Sequence, residues 1–282
     1  MTTWKTRRDS IDLTHHAQVM GILNATPDSF SDGGKHFSVP AALMHARQMI
    51  SDGATIIDIG GESTRPGAHP VSTDDEIARS IPVITALRAE WNGLISIDTT
   101  KAAVAKAATE AGADIVNDIS GLTADPAMVE ICATRSCGVV VMHRQGGPQT
   151  MQLAPAYSDV VAEVRDFFAE RFTTLTRSGI DPMALVFDPG IGFGKTLEHH
   201  LQLLRALTRL TVAERPLLLG MSRKSMIGKI LNTNDLNCRE WPTVALTAYA
   251  REHGVMLHRV HLVKSNLEAL RMTEAILGIP NP

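Results

Sequence analysis

The chain has 282 residues, is 44% hydrophobic and carries a formal net charge of −3. That length and apolar content can bury a large core, as one big domain or two smaller ones, and the mixed-sign charge gives no basic footprint for nucleic acid. The start "MTTWKTRRDSIDL" has no apolar signal core and no run of about 18 apolar residues occurs, so a soluble, cytoplasmic protein with no membrane partner is expected; Cys132, Cys137 and Cys238, at no zinc-site spacing, are expected as reduced thiols.

Residues 1–18 precede the first long apolar run, and "SIDLTHH" within them is expected in a small hairpin closing the bottom of the fold. The strand "VMGILN" (19–24) follows, then the helical pattern "AALMHARQMISDG", which exits through Gly53. Next come "TIIDIGG" (55–61) and the helix "DDEIARSIPVITALRAE", whose opening acids suit a helix N-terminus. "LISIDTT" (94–100) leads to the Ala-rich "KAAVAKAATEAG", and "DIVNDIS" (114–120) leads to "DPAMVEICATRS". "GVVVMHR" (138–144) precedes the long "YSDVVAEVRDFFAERFTTLTRSG", and "ALVFDPG" (184–190) precedes "LEHHLQLLRALTRL". "PLLLGMS" (216–222), "WPTVALTAYAREHG", "MLHRVH" (256–261) and "KSNLEALRMTEAIL" complete the series.

The strand runs are nearly continuous in apolar character, as in a parallel sheet covered on both faces. Eight strands, each followed by a helix, in about 250 residues match the count of an α/β fold of (β/α)₈ TIM-barrel type. A doubly wound open sheet is the alternative, but the G-x-G-x-x-G expected after its first strand is absent. No linker divides the chain, so one domain over 1–282 is expected, with the barrel at about 19–278.

Each strand run closes on polar residues: Asn24, Asp58 with Glu62, Asp98, Asn117 with Asp118, His143, Asp188, Ser222, and Arg259 with His261. In a barrel these ends converge on the face that carries the chemistry, although any one of them could simply cap the next helix. The loop "GGESTRPGAHPVS" (60–72) has the length and composition of a mobile cover. "DPGIGFGKT" (188–196) fails as a nucleotide loop because Pro189 stands where that motif needs glycine. It reads better as a glycine-lined turn against a flat ligand, with Phe193 beside it. "SRKS" (222–225) puts cations after the seventh strand, close to Arg259 and His261 on the eighth. The residues thus suggest two half-sites. Asp98, Asn117 and Asp188 suit a heterocycle rich in N–H donors, while Lys224, Arg259, His261 and Asn24 suit a diphosphate, with or without Mg²⁺.

"GILNATPDSFSDGG", "GGESTRPGA", "SIDT", "NDI", "DPGIGFGK", "GMSRKS" and "RVH" occur in this order along the chain. Together they resemble the dihydropteroate synthase family of pterin-binding TIM barrels. The resemblance implies condensation of 6-hydroxymethyl-7,8-dihydropterin diphosphate with p-aminobenzoate, giving 7,8-dihydropteroate and diphosphate in folate synthesis. By the same resemblance, Asp98, Asn117, Asp188 and Lys224 hydrogen-bond the pterin, Met142 and Phe193 line its faces, and Gly220 belongs to its pocket. Asn24 ligates Mg²⁺ with the diphosphate, which Thr64, Arg259 and His261 bind; Phe30, Arg65, Pro66 and Ser225 enclose p-aminobenzoate. The catalytic set is Asp98, Lys224, Arg259 and His261.

Further expectations are closure of loops 28–38 and 63–72 over substrate, ordered binding with the pterin first, sulfonamide sensitivity and a homodimer through the last two helices. Three positions depart from the family pattern: Leu262 where Asp is common, Arg144 where an uncharged residue is common, and Thr100 for the more usual Ser. Leu262 either weakens support for His261 or faces the exterior. Two other readings stay open, a pterin-binding methyltransferase barrel, which needs no anion site, and a non-catalytic paralogue.

Overall fold

The computed structural model describes residues 2–26, 38–63, 67–147, 150–151 and 153–280. The chain opens with an antiparallel hairpin, β1 (Thr3–Lys5) and β2 (Ser10–Asp12), in which Trp4 lies opposite Ile11. Trp4 is fully buried and its indole N–H donates to the Ala184 carbonyl at 2.8 Å, which seats the hairpin as expected.

Eight parallel strands follow among the described residues: β3 (Gln18–Asn24), β4 (Ile56–Gly60), β5 (Leu94–Asp98), β6 (Ile115–Asp118), β7 (Gly138–Met142), β8 (Leu185–Asp188), β9 (Leu218–Leu219) and β10 (Leu257–Val260). Their order is β8-β7-β6-β5-β4-β3-β10-β9. The last gap is closed by the parallel bridge of Phe187 to Leu217 and by Phe187 N–H donating to Pro216 O at 3.1 Å. Closure removes both sheet edges, so the fold is a TIM barrel and the open doubly wound alternative falls.

The strand β9 is far shorter than its apolar run. Pro216 has no N–H to donate, and beyond Leu219 the chain leaves the ladder towards the barrel mouth. The other strands have fully buried centres, such as Ile56, Ile57, Ile97, Val116, Val140 and Val186.

Nine helices surround the strands among the described residues: α1 (Val39–Ser51), α2 (Thr73–Glu90), α3 (Ala102–Ala111), α4 (Met128–Arg135), α5 (Val160–Arg177), α6 (Leu197–Arg205), α7 (Ser225–Leu231), α8 (Glu240–Glu252) and α9 (Val263–Ile276). Local chemistry sets their ends. Ser72 accepts from Asp75 N–H at 3.1 Å, with Asp74, Asp75 and Glu76 in the first turn of α2. Thr196 and His199 form a reciprocal capping box on α6, and Gly112 ends α3 in the left-handed region at φ 116°.

The sequence reading has eight helices and misses α7. That segment is only seven residues long, too short for a periodic apolar face, and it stops at Asn232 in a left-handed conformation at φ 51°. Its first residue, Ser225, directly follows Lys224 of the candidate anion site, which stands at the N-cap of α7.

Candidate active site

Barrel closure brings the polar strand ends together, and the register fixes who neighbours whom. Asp98 pairs with Asn117 across β5 and β6, Met142 pairs with Asp188 across β7 and β8, and Asn24 pairs with Gly60 across β3 and β4. All of these sit at the C-terminal ends of their strands, where a TIM barrel carries its chemistry.

Across the barrel interior Arg259 ties the site together. Its Nε donates to Asp58 Oδ2 at 2.6 Å and its Nη2 to Asp98 Oδ2 at 2.7 Å. Asp58 Oδ2 also accepts from Asn117 Nδ2 at 3.1 Å. Burial pushes the Asp98 carboxyl up to about 7, against the Arg259 guanidinium, which acts to lower it, while Asp58 adds a like charge. Burial likewise raises Asp188, opposed by the Gly190 N–H, which donates to its Oδ1 at 2.7 Å, and by Lys224 and Arg259. Asp58 Oδ1 and Asp98 Oδ1 are buried with no hydrogen-bond partner among the described residues. Acceptors buried in this way are matched by a ligand that brings N–H donors.

Beside these acceptors lies an apolar slot separate from the main core, made of Ile119, Met142, Met151 and Phe193. The Lys224 ammonium stands 4.2 Å from the centroid of the Phe193 ring, a cation–π contact that joins the slot to the cationic side. Gly192, at φ 91°, lets the turn approach Lys224 closely, since a Cβ there would lie 3.0 Å from Lys224 Cδ; Gly220 faces Asp188, with a Cβ there at ordinary contact distance, 3.9 Å from Asp188 Oδ2. Met151 and Ile119 are absent from the sequence-based site. They sit in a loop and just beyond a strand end, where no period marks them as slot residues.

On the cationic side Ser222 Oγ accepts from His261 N–H at 3.2 Å and lies 2.8 Å from His261 Nδ1. This bond fixes the plane of the imidazole ring and turns its other nitrogen, Nε2, away from Ser222. Leu262 is 44% exposed and takes no part in this bond.

Arg223 is not part of the anion site. It adopts φ 58°, its guanidinium pairs with Glu240, its N–H donates to Thr243 Oγ1 at 3.3 Å, and its carbonyl accepts from Arg239 at 3.0 Å. This backing turns Arg223 outwards.

A cavity of about 360 Å³ opens beside Asp98, with Glu62, Lys101, Thr100 and Arg144 in its wall. Lys101 bridges Glu62 and Glu76 at 2.5 Å each, and Glu62 Oε1 accepts from Val71 N–H at 3.1 Å, tying both ends of the 62–71 loop. Burial lowers Arg144, and Asp118 pulls it back up.

Phe30, Thr64, Arg65 and Pro66 lie outside the described residues, as does most of the 28–38 loop. Among the sites expected from sequence, Asp98, Asn117, Met142, Asp188, Phe193, Gly220, Lys224, Arg259 and His261 converge on this mouth, with Asn24 at the end of β3 and the exposed Ser225 opening α7. The sequence-based site lacks Asp58 and Ser222, although both were visible as polar interruptions at the ends of apolar runs. Among the described residues no helix is long and apolar enough to cross a membrane, and no cluster of three His, Cys, Asp or Glu can hold a metal.

The family model described as "Pterin binding enzyme" matches residues 20–261. A dihydropteroate synthase of Escherichia coli is 48% identical over 269 residues, 95% of this chain and 94% of that protein. The dihydropteroate synthase of Yersinia pestis in a sulfonamide drug complex superposes with a TM-score of 0.92 at 45% identity, covering 98% of this chain and 99% of that one. The Xanthomonas albilineans dihydropteroate synthase with 4-aminobenzoic acid gives 0.91 at 40% identity, covering 99% of each chain. The Burkholderia cenocepacia dihydropteroate synthase complexed with 7,8-dihydropteroate gives 0.89 at 40%, covering 98% of this chain and 97% of that one. With this likeness running from end to end, the chain belongs to the dihydropteroate synthase family of pterin-binding enzymes.

Proposed function

We propose that this transferase of folate synthesis condenses 6-hydroxymethyl-7,8-dihydropterin diphosphate with p-aminobenzoate in the site described above. The observation that carries the assignment of residues is the buried acceptor set of Asp98, Asn117 and Asp188 against the slot of Met142, Phe193 and Ile119. Acceptors on one edge and apolar faces on either side are what a flat heterocycle with N–H donors requires. Lys224, between the slot and the exit, reaches both the pterin and its leaving group.

The chemistry is loss of diphosphate from the pterin CH₂ carbon. Lys224, Arg259 and His261 donate to the oxygens on which charge develops as the CH₂–O bond breaks. The carboxylates of Asp98 and Asp188 hold the ring and favour positive character at the carbon being released. The arylamine needs no strong base, so its placement on the exposed side of Ser225 and α7, together with Phe30, Arg65 and Pro66, decides the rate. Thr64 joins the diphosphate set.

Asn24, partly exposed at the end of β3, offers one neutral amide oxygen, and no acidic cluster stands beside it among the described residues. Such a donor fits Mg²⁺ that arrives with diphosphate and keeps water ligands, and does not fit a resident metal cage. Bound there, Mg²⁺ would supply added charge neutralisation of the leaving group.

Exposed apolar side chains on α7, α8 and α9 (Ile230, Leu231, Trp241, Met272 and Ile276) support a homodimer through this flank. Cytoplasmic location fits the free state of all three cysteines.

Diphosphate release assayed with both substrates tests the reaction. Release that requires p-aminobenzoate supports it, and a protein that binds pterin without turnover would instead be a non-catalytic paralogue. Sedimentation velocity tests the dimer.

A further inference from the structure

The turn that follows β8, residues 189–194, carries Phe193 into the slot and Asp188 at its base. Its backbone is pressed against the exit of β7. Gly190 has φ 68° and a Cβ there would lie 1.9 Å from His143 O; Gly194 has φ 59° and a Cβ there would lie 2.2 Å from Gln145 O. No side chain other than glycine is compatible with that approach.

The polar backbone atoms of this turn are taken up from beneath by three side chains that do not enter the slot. Lys195 is 1% exposed, and its Nζ lies 3.2 Å from Gly190 O, 3.1 Å from Phe193 O, 3.2 Å from His143 O and 3.0 Å from His143 Nδ1. His200 Nε2 accepts from Gly192 N–H at 2.9 Å, and Tyr157 OH donates to Gly194 O at 2.8 Å. None of the four Lys195 partners is a carboxylate. A buried lysine with carbonyl and imidazole partners alone is costly to keep, so its position is specified by more than charge pairing.

The groups facing Lys195 are His143 from β7, Asp188 from β8, Lys224 from the loop before α7, His200 from α6 and the Tyr157 ring 6.0 Å away. Burial pushes both His143 and His200 down to about 3, so both rings are neutral at physiological pH. His143 Nδ1 is then an acceptor for Lys195, and His200 must carry its proton on Nδ1, which has no partner among the described residues.

We infer that Lys195, with His200 as its counterpart on the N–H side of the turn, is a positioning residue for the pterin. It fixes the heights of Phe193 and Asp188 by holding the carbonyls of Gly190 and Phe193 against His143, without touching the substrate. The inference rests on the reading of Phe193 and Asp188 as pterin contacts. Its scope is narrow: pterin affinity depends on this brace, and the p-aminobenzoate side, carried by other loops, does not.

Four variants of the full-length protein test it: Lys195→Met, His200→Leu, His200→Gln and Phe193→Leu. For each, the dissociation constant of the pterin diphosphate is measured by calorimetry, the KM for p-aminobenzoate at saturating pterin diphosphate, and the melting temperature. Lys195→Met keeps the stem and removes the donor. It is expected to weaken pterin binding about ten- to a hundred-fold, the scale of a sub-ångström to 1 Å misplacement, with the p-aminobenzoate KM unchanged.

His200→Leu is expected to do the same, and His200→Gln, whose side-chain oxygen can still accept from Gly192 N–H, to restore binding. Unchanged pterin affinity in Lys195→Met and His200→Leu, while Phe193→Leu weakens it, overturns the brace alone. Loss of both substrates together with a lowered melting temperature in every variant also overturns it, because that is a purely structural role. Unchanged affinity in Phe193→Leu overturns the site reading and the brace with it. Should Lys195→Met not fold, the contrast between His200→Leu and His200→Gln decides.

Discussion

Arg259 and Asp58, 201 residues apart in sequence, meet across the barrel with Nε 2.6 Å from Oδ2, and that same oxygen accepts from Asn117. One fully buried carboxylate oxygen thus sets the direction of two expected substrate contacts. Through Arg259 and Asn117, both the pterin side and the diphosphate side depend on Asp58.

Asp58→Asn is expected to keep the barrel but lower kcat/KM for the pterin diphosphate about a hundred-fold. The neutral amide cannot balance the buried guanidinium, and removing one member of such a pair leaves an uncompensated charge. Loss of stability should accompany it, on the order of 3 kcal/mol. Kinetics indistinguishable from the parent protein would show that Asp98 alone suffices to orient Arg259.

The elevated Asp98 carboxyl gives a pH prediction. A group pushed up to about 7 is protonated on the acid side of neutrality, and a protonated acid is a poorer acceptor for a pterin N–H. As pH falls below about 7, kcat/KM for the pterin diphosphate should fall by about ten-fold per unit. Asp98→Asn should be slow at every pH and lack that limb. If the limb survives in Asp98→Asn, it belongs to the diphosphate or to another group.

The barrel was legible because its strands are buried on both faces and so read as apolar runs, and because each run ends on a polar residue. The convergence of Asp98, Asn117 and Asp188 followed from counting strands. Other parts were illegible for physical reasons. Nothing in "SRKS" says that Arg223 turns outwards to Glu240, since that depends on α8 packing behind the loop. Lys195 looked like part of a failed nucleotide motif, because its partners are carbonyls of residues on two separate strand ends. The slot residues Ile119 and Met151 lie 32 positions apart with no shared period. Four expected contacts, Phe30, Thr64, Arg65 and Pro66, fall outside the described residues.

Lys195 also leaves a mark on stability. Burial lowers its ammonium to about 7 from an ordinary value near 10.5, so between those values the unfolded chain holds a proton that the folded one does not. Stability contributed by this group is therefore present above about 10.5 and lost as pH falls through about 7. Denaturant unfolding followed between these limits should show stability rising with pH, and Lys195→Met should flatten that rise. The same slope in both proteins would place the proton elsewhere.

The departure at Leu262 separates stability from activity. Leu262 is the N-cap of α9, offers no side-chain hydrogen bond there, and stands 44% exposed, while the His261 ring hydrogen-bonds Ser222. An aspartate at that position can accept from the first free N–H groups of α9 and favours the positive end of the helix. Leu262→Asp should therefore stabilise the protein by about 1 kcal/mol, with kcat and both KM values unchanged. Ser222→Ala should do the reverse. It removes one hydrogen bond that orients the His261 ring, so affinity for the diphosphate-bearing substrate drops about ten-fold with little change in melting temperature. Measured together, the two variants locate the support for His261. A rise in turnover in Leu262→Asp, or full activity in Ser222→Ala, would return that support to position 262.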